Sequence, residues 1–381
     1  MIPDVKTMVA ELVAINSVSS VSREFDHGNR AVIDLLAGWC EALGFRVTVQ
    51  PVSEHPEKSN LVAVLGSGED GLVLAGHTDT VPYDETGWAS DPFRLDERDG
   101  HWYGLGVADM KAFLALVLEA ARGVDARTLR RPLVFVATAD EESSMDGARR
   151  LVDHGGLPAR HCVIGEPTAL KPIRMHKGII MEAVRLTGRS GHSSDPSLGR
   201  NALDAMREVL NALDAWRAEL ARAHREPAFH VAQPTLNFGH VHGGDNPNRI
   251  CAQCELHFDL RMLPGMRADD LRAQIDALVA PIASAHEVRF ERRALFEGIE
   301  AMETAADARI VDACERLSGQ RAGAVAFGTE GPFFAELGID TVILGPGDIE
   351  VAHQPNESLP VSRVEPCIAI LRGLIAEFCQ A

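Results

Sequence analysis

Two imidazoles and six carboxylates in this chain stand where apolar runs or glycine turns end. His77 and Asp79 close "LVLAGHTDTVP", and Asp109 lies in "GLGVADMK". Asp140, Glu141 and Glu142 follow an apolar run in "ATADEESSM", Glu166 follows another in "IGEPT", and His353 lies in "GPGDIEVAHQPNE". A strand alternates its faces, so His77 and Asp79 point the same way if the strand reaches that far. Singly, each group has an ordinary explanation. His77 is then a satisfied histidine, Asp109 a helix N-cap, Glu141 and Glu142 solvated charges, Glu166-Pro167 a turn, and His353 a loop residue.

Taken together they imply ion binding. Ligands in open α/β sheets collect outside the carboxyl ends of the strands. Carboxylates crowded there raise one another's pKa unless a cation neutralises them. The mixed His, Asp and Glu set suits two divalent ions, zinc first and cobalt as the alternative. Two imidazoles, two terminal carboxylates and one shared carboxylate give each ion three protein ligands. A position stays open for a bridging water, which paired ions activate. Asp79 then belongs behind His77, accepting its free N–H and fixing its tautomer. Adjacent side chains diverge, so one of Glu141 and Glu142 can hold metal while the other serves as general base.

Groups placed this way need alternating strands and helices behind them. The apolar runs Phe45–Val49, Leu61–Leu65, Leu72–Ala75, Leu133–Ala137 and Cys162–Ile164 predict short strands. Arg30–Leu43, closed by Gly44, is periodic enough for a helix, as are Met110–Ala121 and Asp146–His154. Continuous apolar strands between helices predict an α/β sheet covered on both faces. After Gly178 the texture changes. Ile179–Thr187 alternates loosely, Asn201–Ala223 is a long amphipathic helix, and Pro234–Val241 and Ile250–Arg261 are strand-like. Arg267–Ala285 is helical and Glu287–Leu295 is a strand. This βαββαβ order is the split βαβ, ferredoxin-like arrangement. Helix and strand alternate again from Ala305, with a strand at Asp340–Leu344. The chain therefore reads as an α/β catalytic domain, residues 1–177 and 296–381, interrupted by an inserted α+β domain, residues 178–295.

With 381 residues, 46% of them hydrophobic, the chain can bury a large core and form more than one domain. A net charge of −18 argues against nucleic acid or an anionic membrane as the main partner. No run approaches the roughly 18 apolar residues of a membrane helix, and the opening residues lack the basic start and apolar run of a signal peptide. Seven scattered cysteines fit a reducing compartment, and a cytoplasmic location is expected. Cys251-Ala-Gln-Cys254 has C-x-x-C spacing but no second pair, so it carries little weight as a metal or redox site.

These motifs, with "SGHSSDPSLGRNA" at 190–202, resemble in order and spacing the M20 family of metal-dependent amidohydrolases and peptidases over the full chain. Within it, "WASDPF", "MHKG", "HVHGGDNPNRIC" and "LPGM" look like the acetylornithine deacetylases. Succinyl-diaminopimelate desuccinylases, aminoacylases and di- or carboxypeptidases are near relatives. Ala112 stands where the usual word is "DMKG", and Glu330 in "GTEGPFF" stands where desuccinylases carry another motif. The resemblance implies a zinc-peptidase-like catalytic domain with a mixed sheet between helices. It also implies an inserted dimerisation and lid domain, and a homodimer formed through it.

The resemblance further implies His77, Asp109 and Glu166 on one ion and Asp109, Glu142 and His353 on the other, with Asp109 bridging. Glu141 becomes the general base and Asp79 orients His77. His192 stabilises the oxyanion in the partner subunit's active site, and the Asp109-Met110 peptide is cis. The implied reaction converts N2-acetyl-L-ornithine to L-ornithine and acetate in arginine biosynthesis; another N-acyl-amino-acid hydrolysis is the alternative. A substrate α-carboxylate needs a fixed cationic partner. Arg261 and Arg249 are the candidates, with Lys177 and Asn246 behind them. Glu330 is the candidate for the ornithine ammonium.

Overall fold

The computed structural model describes residues 2–52 and 57–380. The chain divides into two units: Met1–Arg174 with Thr304–Gly323 and Thr329–Ala381, and Met175–Glu303 with Ala324–Gly328. In the first, strands run in the order Arg46–Pro51, Ser59–Leu65, Leu133–Thr138, Gly71–His77, Ala159–Pro167, Asp340–Gly345. The last four run parallel to one another, while the first two pair antiparallel, so the sheet is mixed. Every residue of Gly71–His77 and Leu133–Thr138 is buried. Strands covered on both faces have no polar side to show, which is why they read as unbroken apolar runs.

The helix Lys111–Ala121 is buried at every position except Glu119. Two glycines let it press against the sheet. A Cβ on Gly76 would stand 2.4 Å from Met110 Cε, and one on Gly165 would stand 2.0 Å from the Phe113 ring. That approach brings Asp109, just ahead of the helix, beside the strand ends carrying His77 and Glu166. The N-cap position belongs to Met110, which makes no side-chain cap bond, so Asp109 is not the helix cap its type allowed. The Asp109-Met110 peptide is cis.

The second unit holds an antiparallel sheet in the order Thr235–Gly243, Gln253–Met262, Gly178–Thr187, Arg289–Ile299. Helices Ala202–Ala223 and Ala268–Ala285 cover it, joined in one core by Met206, Val209, Leu256 and Ile275. Asn201 caps the first of them, its side chain accepting from the Leu203 N–H at 3.0 Å. The boundary expected between Leu295 and Phe296 falls inside the last strand. Register shifts between Ala294 and Ile299 break its alternation, which hid the strand's true end. Among the described residues no helix is long and apolar enough to cross a membrane.

Candidate metal centre

Parallel pairing brings the polar groups to one edge of the sheet. His77 lies opposite Thr138, and Ala75 lies opposite Ile164, two residues short of Glu166. His77, the turn after Thr138 and Glu166 therefore end level with one another. Two of the triads whose ligand atoms gather within 4.8 Å share Asp109: His77 with Asp109 and Glu166, and Asp109 with Glu142 and His353. His77 Nε2 lies 3.1 Å from Asp109 Oδ1 and 3.8 Å from Glu166 Oε1. His353 Nε2 lies 3.0 Å from Glu142 Oε1 and 3.4 Å from Asp109 Oδ2. Asp109 thus offers one oxygen to each triad.

The electrostatics show what these side chains lack. Glu166 is buried and its Oε1 has no hydrogen-bond partner. Burial, then the Asp109 carboxylate, pushes Glu166 well above the ordinary carboxylate range. Burial, then Glu166, does the same to Glu141. Burial opposes ionisation of Asp109 too, but His353 and His77 hold it well below its usual value. His353 rises to about 10 on its bonds to Asp109 and Glu142. Carboxylates crowded this way, one with an orphan oxygen, fit a pair of divalent cations, which would offset their repulsion. A third grouping, His77 with Glu141 and Glu142, also meets the distance limit, so geometry alone leaves Glu141 a second option as ligand.

Asp79 sits differently from the expectation. The His77 Nδ1–H points to the Asp79 main-chain carbonyl at 3.0 Å, with the carboxylate 3.7 Å away. The carboxylate instead accepts the backbone N–H groups of Glu141 at 3.3 Å and Glu142 at 3.0 Å. One residue therefore aims the imidazole with its backbone and the two glutamates with its side chain. Burial raises its pKa to about 6.

That glutamate turn starts at Asp140, whose φ of 59° is left-handed and costly for a residue with a Cβ. Its Oδ1 accepts from Lys58 Nζ at 2.7 Å and Ser19 Oγ at 2.8 Å, and Lys58 also reaches Asp26 at 2.7 Å. Burial disfavours the Lys58 ammonium, yet Asp140 and Asp26 raise its pKa on balance. Removing one partner of a buried pair leaves the other charge uncompensated. Lys58→Ala should therefore cost about 3 kcal/mol in chemical denaturation and lower turnover with it. Unchanged stability would show that the pair does not hold the turn.

Sequence reasoning missed Glu357. Its buried carboxylate accepts the backbone N–H groups of Gly106 at 2.8 Å, Ala108 at 2.7 Å and Asp109 at 2.9 Å. Burial raises its pKa to about 8 against those three donors. It fixes the loop that delivers Asp109. The only signal was a lone acid four residues after His353, ahead of the strand Ser358–Pro360.

Glu330 is fully buried, and neither carboxylate oxygen has a hydrogen bond of good geometry. Burial raises it to about 7, the Thr138 hydroxyl and His77 pulling the other way. It presents no surface to an ammonium, contrary to the role expected for it. The other expected groups lie in the second unit. His192 and Arg249 are paired through their backbones, with the Asn246 loop closed by its own bonds to Asn248 and Arg249. Arg249 meets Asp245 at 2.8 Å and Arg261 meets Asp259 at 2.9 Å. Lys177 is buried and donates to the Gln233 carbonyl at 2.6 Å, so it is not an open cation. Cys251 and Cys254, like the other cysteines, are free.

Residues 73–377 match the model of peptidase family M20/M25/M40. The chain is 47% identical over 378 residues to acetylornithine deacetylase of Pasteurella multocida, covering 99% of each. It is 45% identical to that of Proteus mirabilis, covering 100% of this chain and 98% of the relative. Its fold is similar to aminopeptidase PepT of Bacillus cereus, with TM-score 0.78 at 20% identity over 98% of both chains. It is also similar to the Bacillus subtilis YXEP protein, a dinuclear metal-binding peptidase of the M20 family, with TM-score 0.69 at 14% identity over 98% of both.

Proposed function

The chain belongs to peptidase family M20/M25/M40 and is a metal-dependent hydrolase of the deacetylase type; from that premise we propose that it hydrolyses N2-acetyl-L-ornithine to L-ornithine and acetate, a step of arginine biosynthesis. The observation that carries the reading is the pair of ligand triads sharing Asp109, with the buried Glu141 beside them. The triads would hold two divalent ions, zinc or alternatively cobalt, given donors that are all nitrogen and oxygen. Ions bound there would polarise the acetyl carbonyl and acidify a water.

The remaining steps belong to the chain's own residues. Glu141 takes a proton from the water and returns it to the leaving amine. The resulting tetrahedral oxyanion needs a donor. His192 Nδ1 accepts from the Ser194 backbone N–H at 3.2 Å and lies 2.7 Å from the Ser194 hydroxyl, an arrangement that suits a proton on Nε2. That leaves an exposed N–H for the oxyanion, reaching the neighbouring copy's centre in a homodimer formed through the inserted unit. His192→Ala should lower kcat about 10²-fold or more with metal content intact. Unchanged turnover would remove His192 from the mechanism. Arg249, held in the same loop pair, is the foremost candidate for the substrate carboxylate, with Arg261 behind it. A cytoplasmic site of action is part of this reading, supported by the free cysteines; the charge of −18 makes nucleic acid and membrane unsuitable partners.

A substrate panel tests the reading. N-acetylornithine should have the highest kcat/KM against N-acetylmethionine and N-succinyl-diaminopimelate. A preference for either rival would leave the hydrolase class standing and overturn the ornithine assignment.

A further inference from the structure

A second cavity opens in the first unit at the opposite end of its parallel strands. It measures about 450 Å³ and is lined by Asp70, Arg131, Arg160, His161, Arg309 and Asp340. Asp70 and Arg131 precede the strands Gly71–His77 and Leu133–Thr138, and Arg160, His161 and Asp340 open the two strands that follow in the sheet. In a chain of net charge −18, three arginines face one hollow, and none forms an ion pair among the described residues. Arg309 lies over the Phe378 ring at 5.4 Å, and the Arg131 backbone is tied to the Cys379 carbonyl at 3.2 Å.

His161 lies among these arginines. It is 7% exposed, packs on Phe378 with ring centroids 4.5 Å apart, and its Nδ1 has no hydrogen-bond partner. Burial lowers the pKa of this imidazole, and the three arginines lower it further against the pull of Asp340.

We propose that this cavity is a binding site for a small phosphate-bearing ligand, held by the guanidiniums of Arg131, Arg160 and Arg309. Planar guanidinium forks match phosphate oxygens two at a time. Asp70 and Asp340 offset two of the three positive charges, which suits a single phosphate group and disfavours a polyanion. The volume admits a nucleoside monophosphate as well as free phosphate.

The test is equilibrium dialysis of the metal-loaded protein at fixed ionic strength, with inorganic phosphate in one arm and adenosine monophosphate in the other. Wild type is compared with Arg160→Ala/Arg309→Ala, whose two side chains are exposed and distant from the metal centre, so fold and turnover should persist. Phosphate held at the metal centre would survive in the variant, whereas binding in this cavity should weaken about tenfold or more. Tighter binding of the monophosphate would identify a phosphate ester as the ligand, and equal binding would identify free phosphate. Identical binding by wild type and variant, or no binding by wild type beyond the metal centre, would overturn the proposal.

Discussion

Glu141→Gln should give a folded, metal-loaded protein that turns over about 10³-fold more slowly than wild type. The substitution keeps the side chain's size and one carbonyl oxygen, and removes only the ability to accept a proton and carry charge. Glu141 is buried in a crowd of carboxylates, so the packing cost should be small. Two rival outcomes are informative because Glu141 also lies within ligand distance of His77 and Glu142. If the variant loses one ion per chain, Glu141 is a ligand rather than the base. If metal content and rate both stay near wild type, Glu142 or another group moves the proton. Measuring metal stoichiometry and steady-state rate on one sample separates these cases. Only retained metal with collapsed turnover supports the base role.

The strand-end groups were legible because buried parallel strands leave a plain trace: unbroken apolar runs, with polar residues only where a run stops. His77 and Glu166 are gathered for that reason by register and Glu142 by the turn after Thr138, while Asp109 and His353 arrive from turns outside the strands. Local spacing could not show which atoms of Asp79 do what, because its carboxylate partners are backbone amides 62 and 63 residues away. Lys58 was invisible for a related reason. Its partners Asp26 and Asp140 lie 32 and 82 residues distant, and nothing near "EKSN" announces a buried ammonium. Glu330 misled because an acid in a glycine-flanked loop looks exposed, whereas the fold buries it completely. In the second unit, the strand Arg289–Ile299 is largely exposed and bulged, so its period was too weak to mark where it ends. What sequence conveys here is the rim of a sheet; what it hides is the support beneath that rim.

Asp109 and Glu166 allow the sharing of one carboxylate to be read directly. Glu166 serves a single triad, so Glu166→Ala should lower the bound metal from about two ions per chain to about one. Asp109 presents Oδ1 toward His77 and Oδ2 toward His353, so Asp109→Ala strips a ligand from both triads at once. Bound metal should then fall below one ion per chain. Turnover should fall about 10⁴-fold or more, since carbonyl polarisation and water activation are lost together. The loop should survive the change, because Glu357 grips it through the backbone N–H groups of Gly106, Ala108 and Asp109 and not through the Asp109 side chain. Loss of metal with an unchanged circular-dichroism spectrum is therefore expected. Equal metal loss in the two variants would mean that Asp109 belongs to one ion only. An Asp109→Ala protein that kept both ions would show that the shared carboxylate is not what holds the pair together.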